Sequence, residues 1–143
     1  MAHRQKFKLG LDGVDAFGII YFGQYCHWFQ HALEGLFSEA GHELGSIIAD
    51  GVGFPMARLE MDFRKPVRLS EVVEAECSVV ATGKRSIQFL VRFTDAQGDL
   101  TAEVRTLQVA TRIDFTPESV PDWLRDLVQP PLTDGAAIGT VPS

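Results

Sequence analysis

At 143 residues the chain fits one ordinary domain and is long enough to bury a core without disulfide or metal staples. Its 45% hydrophobic and 22% charged content is globular, and the net charge of -6 argues against a general nucleic-acid binder, which would be basic overall. The start MAHRQKFKLG has no apolar stretch of signal-peptide length, no window approaches ~20 apolar residues, and Cys26 and Cys77 make no disulfide framework. The expectation is a cytoplasmic protein without a membrane span.

In chain order, residues 4–9 predict a short strand, and Asp12, Gly13 and Asp15 then break it into a loop. Tyr25, Trp28, Phe29, Ala32, Leu33, Leu36 and Phe37 follow at i, i+3, i+4, i+7, i+8, i+11 and i+12, one face of an α-helix. That helix is expected from near Gly23 to about Ala40, with Gly41 as its stop. A loop with partly helical character, GSIIADGVG, leads into segments of period two. Ala57, Leu59, Met61 and Phe63 alternate with Arg58, Glu60 and Asp62. Val73, Ala75, Cys77 and Val79 alternate with Glu74, Glu76 and Ser78, and Ile87, Phe89, Val91 and Phe93 do the same against Gln88 and Arg92. Tight turns are expected at Thr82-Gly83-Lys84 and at Asp95–Asp99. In the last strand Ala102 and Val104 have one parity and Leu107 and Val109 the other, so a β-bulge is expected near Arg105–Thr106.

Thr116-Pro117-Glu118 and Pro121-Asp122 are helix-start chemistry, predicting a short helix that carries Trp123, Leu124 and Leu127. From Pro130 to Ser143 the chain is small, polar and aperiodic. The expected organisation is one domain over 1–129 with a disordered tail over 130–143. Hairpin-linked strands without alternating helices exclude a parallel sheet. An α+β domain with one long helix against an antiparallel sheet of about five strands follows.

The loop before the helix, Gly10 to Gly23, is rich in glycine, carries Asp12 and Asp15, and feeds a helix N-terminus. Free N–H groups and the positive end of the helix dipole suit such a terminus to developing negative charge, and a carboxylate beside it suits acyl transfer. The competing reading makes both aspartates turn formers that bond local backbone. His27 and His31 stand four apart on one helix face but have no third ligand in view, so no metal is expected.

The run Asp15-Ala16-Phe17-Gly18-Ile19-Ile20-Tyr21-Phe22-Gly23 resembles the Asp-x-x-Gly-(Ile/Val)-(Ile/Val)-Tyr/Phe motif that opens the central helix in the 4-hydroxybenzoyl-coenzyme A thioesterase family. Phe63-Arg64-Lys65-Pro66-Val67-Arg68-Leu69-Ser70-Glu71 resembles that family's aromatic-x-x-Pro-x-x-x-Gly-Asp connection, with Ser70-Glu71 in place of Gly-Asp. The resemblance implies the hotdog fold, an antiparallel sheet wrapped around one long central helix. It implies hydrolysis of an acyl-CoA thioester with an aromatic (benzoyl or hydroxybenzoyl) or small acyl group. Asp15 falls on the catalytic carboxylate, acting as general base or nucleophile, and the backbone N–H of Phe22 falls on the oxyanion donor. Phe17 and Tyr21 would shape the acyl pocket. Lys84 and Arg85, after the Gly83 turn, would hold the coenzyme A phosphates. Family members that prefer hydroxybenzoyl groups carry an acidic residue on the helix just after the aromatic pair, the region in which Gln30 stands here. No cofactor is implied beyond the coenzyme A of the substrate. The assembly implied is a homodimer at minimum, or a homotetramer. Two other classes remain open: a hotdog hydratase or dehydratase, and a non-catalytic acyl-CoA-binding dimer.

Overall fold

The structure, a computed structural model, describes residues 1–129; the tail expected over 130–143 lies outside the described residues. Its elements are β1 (Ala2–Lys8), a single 3₁₀ turn at Leu11–Gly13, α1 (Phe22–Glu39), α2 (Leu44–Ala49), β2 (Val52–Gly53), β3 (Met56–Phe63), β4 (Val72–Thr82), β5 (Ser86–Thr94), β6 (Leu100–Val109), β7 (Thr111–Arg112) and α3 (Asp122–Arg125). Five strands form one sheet in the order β1-β4-β5-β6-β3, every pairing antiparallel. The short β2 and β7 pair with each other.

All seven residues of the periodic stripe on α1 are buried, and α1 is 18 residues long. The helix ends in a Schellman motif. Gly41 adopts φ 88, its N–H donates to the Ser38 carbonyl, and the His42 N–H donates to that of Phe37. The stripe packs on the sheet through rings: Tyr25 against Phe93 at 4.9 Å, Phe37 against Phe89 at 6.0 Å and Trp28 stacked on Phe7 at 5.2 Å. Each large side chain so buried stabilises by about 1.5–3 kcal/mol. Tyr25 keeps its hydroxyl satisfied by donating to Thr101 Oγ1 at 3.1 Å, which in turn donates to the Phe93 carbonyl. Burial pushes the Tyr25 phenol above its ordinary range.

The bulge expected near Arg105–Thr106 is not there. β6 pairs with β5 in unbroken register from Val109 opposite Ser86 to Ala102 opposite Phe93, and the irregularities fall at Phe93/Thr94, Met56/Arg58 and Val79/Ala81. The core parity of β6 simply continues as Thr106 and Gln108. Both are buried, with the Thr106 hydroxyl bonded to Gln108 Oε1 and Gln108 Nε2 donating to the Phe54 carbonyl. Leu107 and Val109 stand on the opposite face, where Leu107 and Leu90 of β5 are also covered. Of the sheet's two edges, β3 is the less protected: Met56, Leu59 and Phe63 remain between 44% and 55% exposed.

Candidate active site

The loop between β1 and α1 is itself a small hairpin. Val14 bridges Ile20, Asp15 N–H donates to the Ile19 carbonyl, and Gly18 N–H donates to that of Asp15. Gly18 closes the turn at φ 75, a left-handed conformation that costs an ordinary L residue roughly 1–2 kcal/mol. Asp15 opens this turn. Its Oδ1 accepts the N–H of Phe17 at 2.8 Å and that of Ile19 at 3.4 Å. Among the described residues nothing bonds Oδ2. The carboxylate is therefore fixed by one oxygen and presents the other.

The hairpin's return strand docks on the connection after β3. Ile20 N–H donates to the Val67 carbonyl at 2.8 Å, and Ile19 bridges Arg68. Tyr21, tied to the Gly13 carbonyl through its N–H, is the N-cap of α1 with no side-chain cap bond. Gln24 N–H turns back to the Tyr21 carbonyl, while the N–H groups of Phe22 and Gly23 have no acceptor among the described residues. The open donors thus stand at the positive end of an 18-residue helix.

Beside them lies a cavity of about 390 Å³ lined by Ile19, Ile20, Phe22, Tyr25 and Phe63, with Arg64, Lys65 and Pro66 at its rim. Lys65 is not a free cation. Its Nζ sits 2.5 Å from Asp95 Oδ2 and 2.9 Å from Asp99 Oδ2, and these carboxylates push the Lys65 ammonium above its ordinary range. Reciprocally, Lys65 holds Asp95 below the usual carboxylate range. Arg64 is exposed and has no ion pair among the described residues.

The expected site residues divide. Asp15 and the Phe22 N–H share the segment that enters the helix. Phe17 is 86% exposed at the hairpin tip and lines no part of the cavity; Tyr21, 42% exposed, packs edge-on against Phe22 with ring centres 5.4 Å apart. The apolar wall comes instead from Ile19, Ile20, Tyr25 and Phe63. Of these, Ile19, Ile20 and Phe63 belong to the two motifs, and Tyr25 opens the helix stripe. Lys84 and Arg85 sit in the β4–β5 turn, exposed, their carbonyls accepting from Val120, Arg125 and Ala110. Nine-residue β5 separates that turn from the Phe93 end of the sheet, about 25 Å at the usual rise per residue. Within one subunit the two halves of the expected site are therefore at opposite ends of the sheet.

His27 and His31 are exposed, and among the described residues no group of three or more His, Cys, Asp or Glu side chains could hold a metal ion. Cys26 and Cys77 are unpaired, and burial pushes the Cys77 thiol far up, leaving it a small core hydrophobe. No helix of the described residues is long and apolar enough to cross a membrane.

Sheet, helix and helix-entry hairpin together make a hotdog-type domain. Residues 9–128 match the thioesterase-like superfamily, and the chain belongs to it. The acyl-CoA thioester hydrolase YbgC of Escherichia coli is 21% identical over 106 residues, 74% of this chain and 79% of that protein. Two of the solved structures that share the fold are thioesterases. The 1,4-dihydroxy-2-naphthoyl-CoA thioesterase Slr0204 from Synechocystis has a TM-score of 0.81 at 18% identity, covering 90% of this chain and 96% of its own. The gentisyl-coenzyme A thioesterase BH1999 has a TM-score of 0.79 at 21% identity, covering 85% of this chain and 98% of its own.

Proposed function

We propose that the protein hydrolyses acyl-CoA thioesters carrying an aromatic or small acyl group, with Asp15 as the reacting carboxylate and α1 as the central helix of the hotdog. The observation that carries the reading is the clamp on Asp15: Oδ1 held by two backbone N–H groups and Oδ2 unbonded among the described residues, on the hairpin that feeds an open helix N-terminus. The thioester carbonyl oxygen would accept from the Phe22 N–H, which strengthens as the oxygen becomes anionic. The acyl group would enter the apolar cavity, whose size and Tyr25 and Phe63 walls suit a planar ring. That the two structural neighbours act on aryl-CoA thioesters supports the same class.

Two routes balance. As general base, Asp15 takes a proton from water while the water oxygen attacks the carbonyl carbon; the tetrahedral intermediate then expels the coenzyme A thiolate, which is protonated as it leaves. As nucleophile, an Asp15 oxygen attacks the carbon itself and expels the thiolate, and water then cleaves the mixed anhydride. Neither route calls for a cofactor or metal, because the thioester is already activated.

The proposal includes a homodimer at minimum, with a dimer of dimers as the fuller assembly, in a cytoplasmic setting. The support is the β3 edge, eight residues without proline or lysine and with an apolar stripe left open. A second copy antiparallel on that edge would bring the Lys84 and Arg85 end of one subunit toward the Asp15 end of the other. That arrangement would unite the phosphate-binding and acyl-binding halves. The test is thiol release by the full chain from benzoyl-, hydroxybenzoyl-, phenylacetyl- and short aliphatic CoA thioesters. Turnover highest on an aromatic or short acyl group supports the proposal. Binding of these thioesters without thiol release favours the second reading, an acyl-CoA-binding dimer, which the turn-forming geometry of Asp15 also fits.

A further inference from the structure

The segment after β6 forms a second hairpin that the reaction outlined above leaves unused. Thr111 bridges Pro117, Arg112 N–H donates to the Thr116 carbonyl at 3.0 Å, and Phe115 N–H donates to that of Arg112 at 2.8 Å. Asp114 Oδ1 accepts from both the N–H and the hydroxyl of Thr116, and Arg112 pairs with Glu118 at 3.0 Å. This well-tied loop holds two large apolar side chains in water: Ile113 is 79% exposed and Phe115 82%. Phe115 also sits at φ 65, left-handed backbone that a bulky residue rarely occupies. Beneath them is an apolar cleft of about 270 Å³ lined in part by Ile48, Val52 and Pro55. Pro55 joins it directly to the start of β3.

β3 is charge-complementary to its own reverse. Leu59 lies near its middle, with Arg58 on one side and Glu60 on the other. A two-fold pairing centred on Leu59 sets Arg58 against Glu60 of the partner subunit and, past the irregularity at Met56/Arg58, brings Phe63 toward Pro55 of the partner subunit. Phe63 walls the acyl cavity and Pro55 walls the hairpin's cleft. Because β2 and β7 extend the β3 and β6 ribbon past Pro55, the partner's hairpin then runs beside Arg64–Pro66, the open rim of that cavity.

We infer that Ile113 and Phe115 of one subunit cap the acyl cavity of the other, so that each site is incomplete without the second copy and this hairpin selects the acyl group. The inference rests on the thioesterase reading given above and adds the residues that set its selectivity.

The test is intersubunit complementation with the full chain. The double variant Ile113→Ser/Phe115→Gly removes both caps, and glycine at 115 suits the left-handed backbone, so folding is preserved. Its kcat/KM for benzoyl-CoA should fall about tenfold or more relative to its kcat/KM for acetyl-CoA, as loss of an apolar wall dictates. Its dimer should weaken by about tenfold in sedimentation velocity, as expected when buried apolar anchors are truncated. Heterodimers of this variant with Asp15→Asn, purified through two tags, contain one site with both lesions and one with neither. They should recover about half of wild-type turnover. Heterodimers no more active than the better homodimer would overturn the inference, as would an unchanged benzoyl-to-acetyl ratio or a monomeric wild type at micromolar concentration. An Asp15→Asn homodimer at wild-type rate would instead sink the catalytic assignment, and the acyl ratio and dimer affinity would still decide the hairpin's role.

Discussion

Two turns in this molecule are built alike, Asp15-Ala16-Phe17-Gly18 and Asp95-Ala96-Gln97-Gly98. In each, the aspartate Oδ1 accepts the N–H groups two and four residues on, Phe17 and Ile19 in one, Gln97 and Asp99 in the other. Each has a left-handed glycine fourth, Gly18 at φ 75 and Gly98 at φ 85, and a matching pair of backbone bonds. They differ in the second carboxylate oxygen. Asp95 Oδ2 is taken by Lys65 and the side chain is 4% exposed; Asp15 Oδ2 has no partner among the described residues, on the hairpin that leads into α1. In both of these turns the Asp-x-x-Gly pattern is turn chemistry, and only the surroundings of the spare oxygen distinguish the carboxylate proposed to react from the structural one.

The largest expected effect is at Asp15. Asp15→Ala removes both clamp and charge, so kcat should drop on the order of 10²-fold or more. Stability should drop by about 1 kcal/mol, the usual cost of leaving such local N–H groups without their side-chain acceptor. Steady-state kinetics and denaturant melts read the two separately. Next comes the coenzyme A end. Lys84→Ala/Arg85→Ala should raise KM about tenfold with kcat little changed, the pattern of lost uniform binding. A truncated thioester without the nucleotide should be indifferent to it; equal damage to both substrates would mean that neither residue holds phosphate.

At Asp95 the effect should be on stability alone. Lys65 lowers the folded pKa of Asp95, so its contribution is fully present above the unfolded value near 3.8 and is lost as pH falls through the lower folded value. Asp95→Asn should therefore melt below wild type at neutral pH, and the gap should close in acid below the ordinary carboxylate range. Circular dichroism melts across that range check it; a gap that persists in acid would break the assignment to the ion pair. The smallest effect concerns a left-handed turn position that lacks glycine. Ser70 sits at φ 72 where the related connection carries glycine, so Ser70→Gly should stabilise by roughly 0.5–1 kcal/mol. Thermal melts would show the rise.

Legibility followed the physics of each region. The α1 stripe was readable because rings and leucines recur every three to four residues with no polar interruption, and all seven are buried. β6 misled because Thr106 and Gln108 occupy core positions as polar residues that bond one another and the Phe54 carbonyl, hiding the true parity behind Leu107 and Val109. The short β2, β7 and α2 carry too few residues to show a period. The Asp15 turn and the start of α1 that follows it were readable because helix entry is a local matter. The cavity wall was not, since Phe63 and Pro66 meet Ile19 and Tyr25 only after the β3 connection folds back onto α1. Lys84 and Arg85 were named by chemistry alone, and their distance along the sheet is a tertiary fact that no local pattern encodes.

The central claim is that the free oxygen of Asp15, and not the turn it makes, drives hydrolysis. The direct measurement compares thiol release from benzoyl-CoA by Asp15→Asn and Asp95→Asn at equal concentrations of folded protein. Asparagine keeps the Oδ1 clamp in both turns and removes the charge. The account predicts Asp15→Asn slowed on the order of 10²-fold or more with wild-type melting, and Asp95→Asn near wild-type rate with lowered melting. Asp15→Asn turning over at wild-type rate, or the two variants slowed alike, would contradict it.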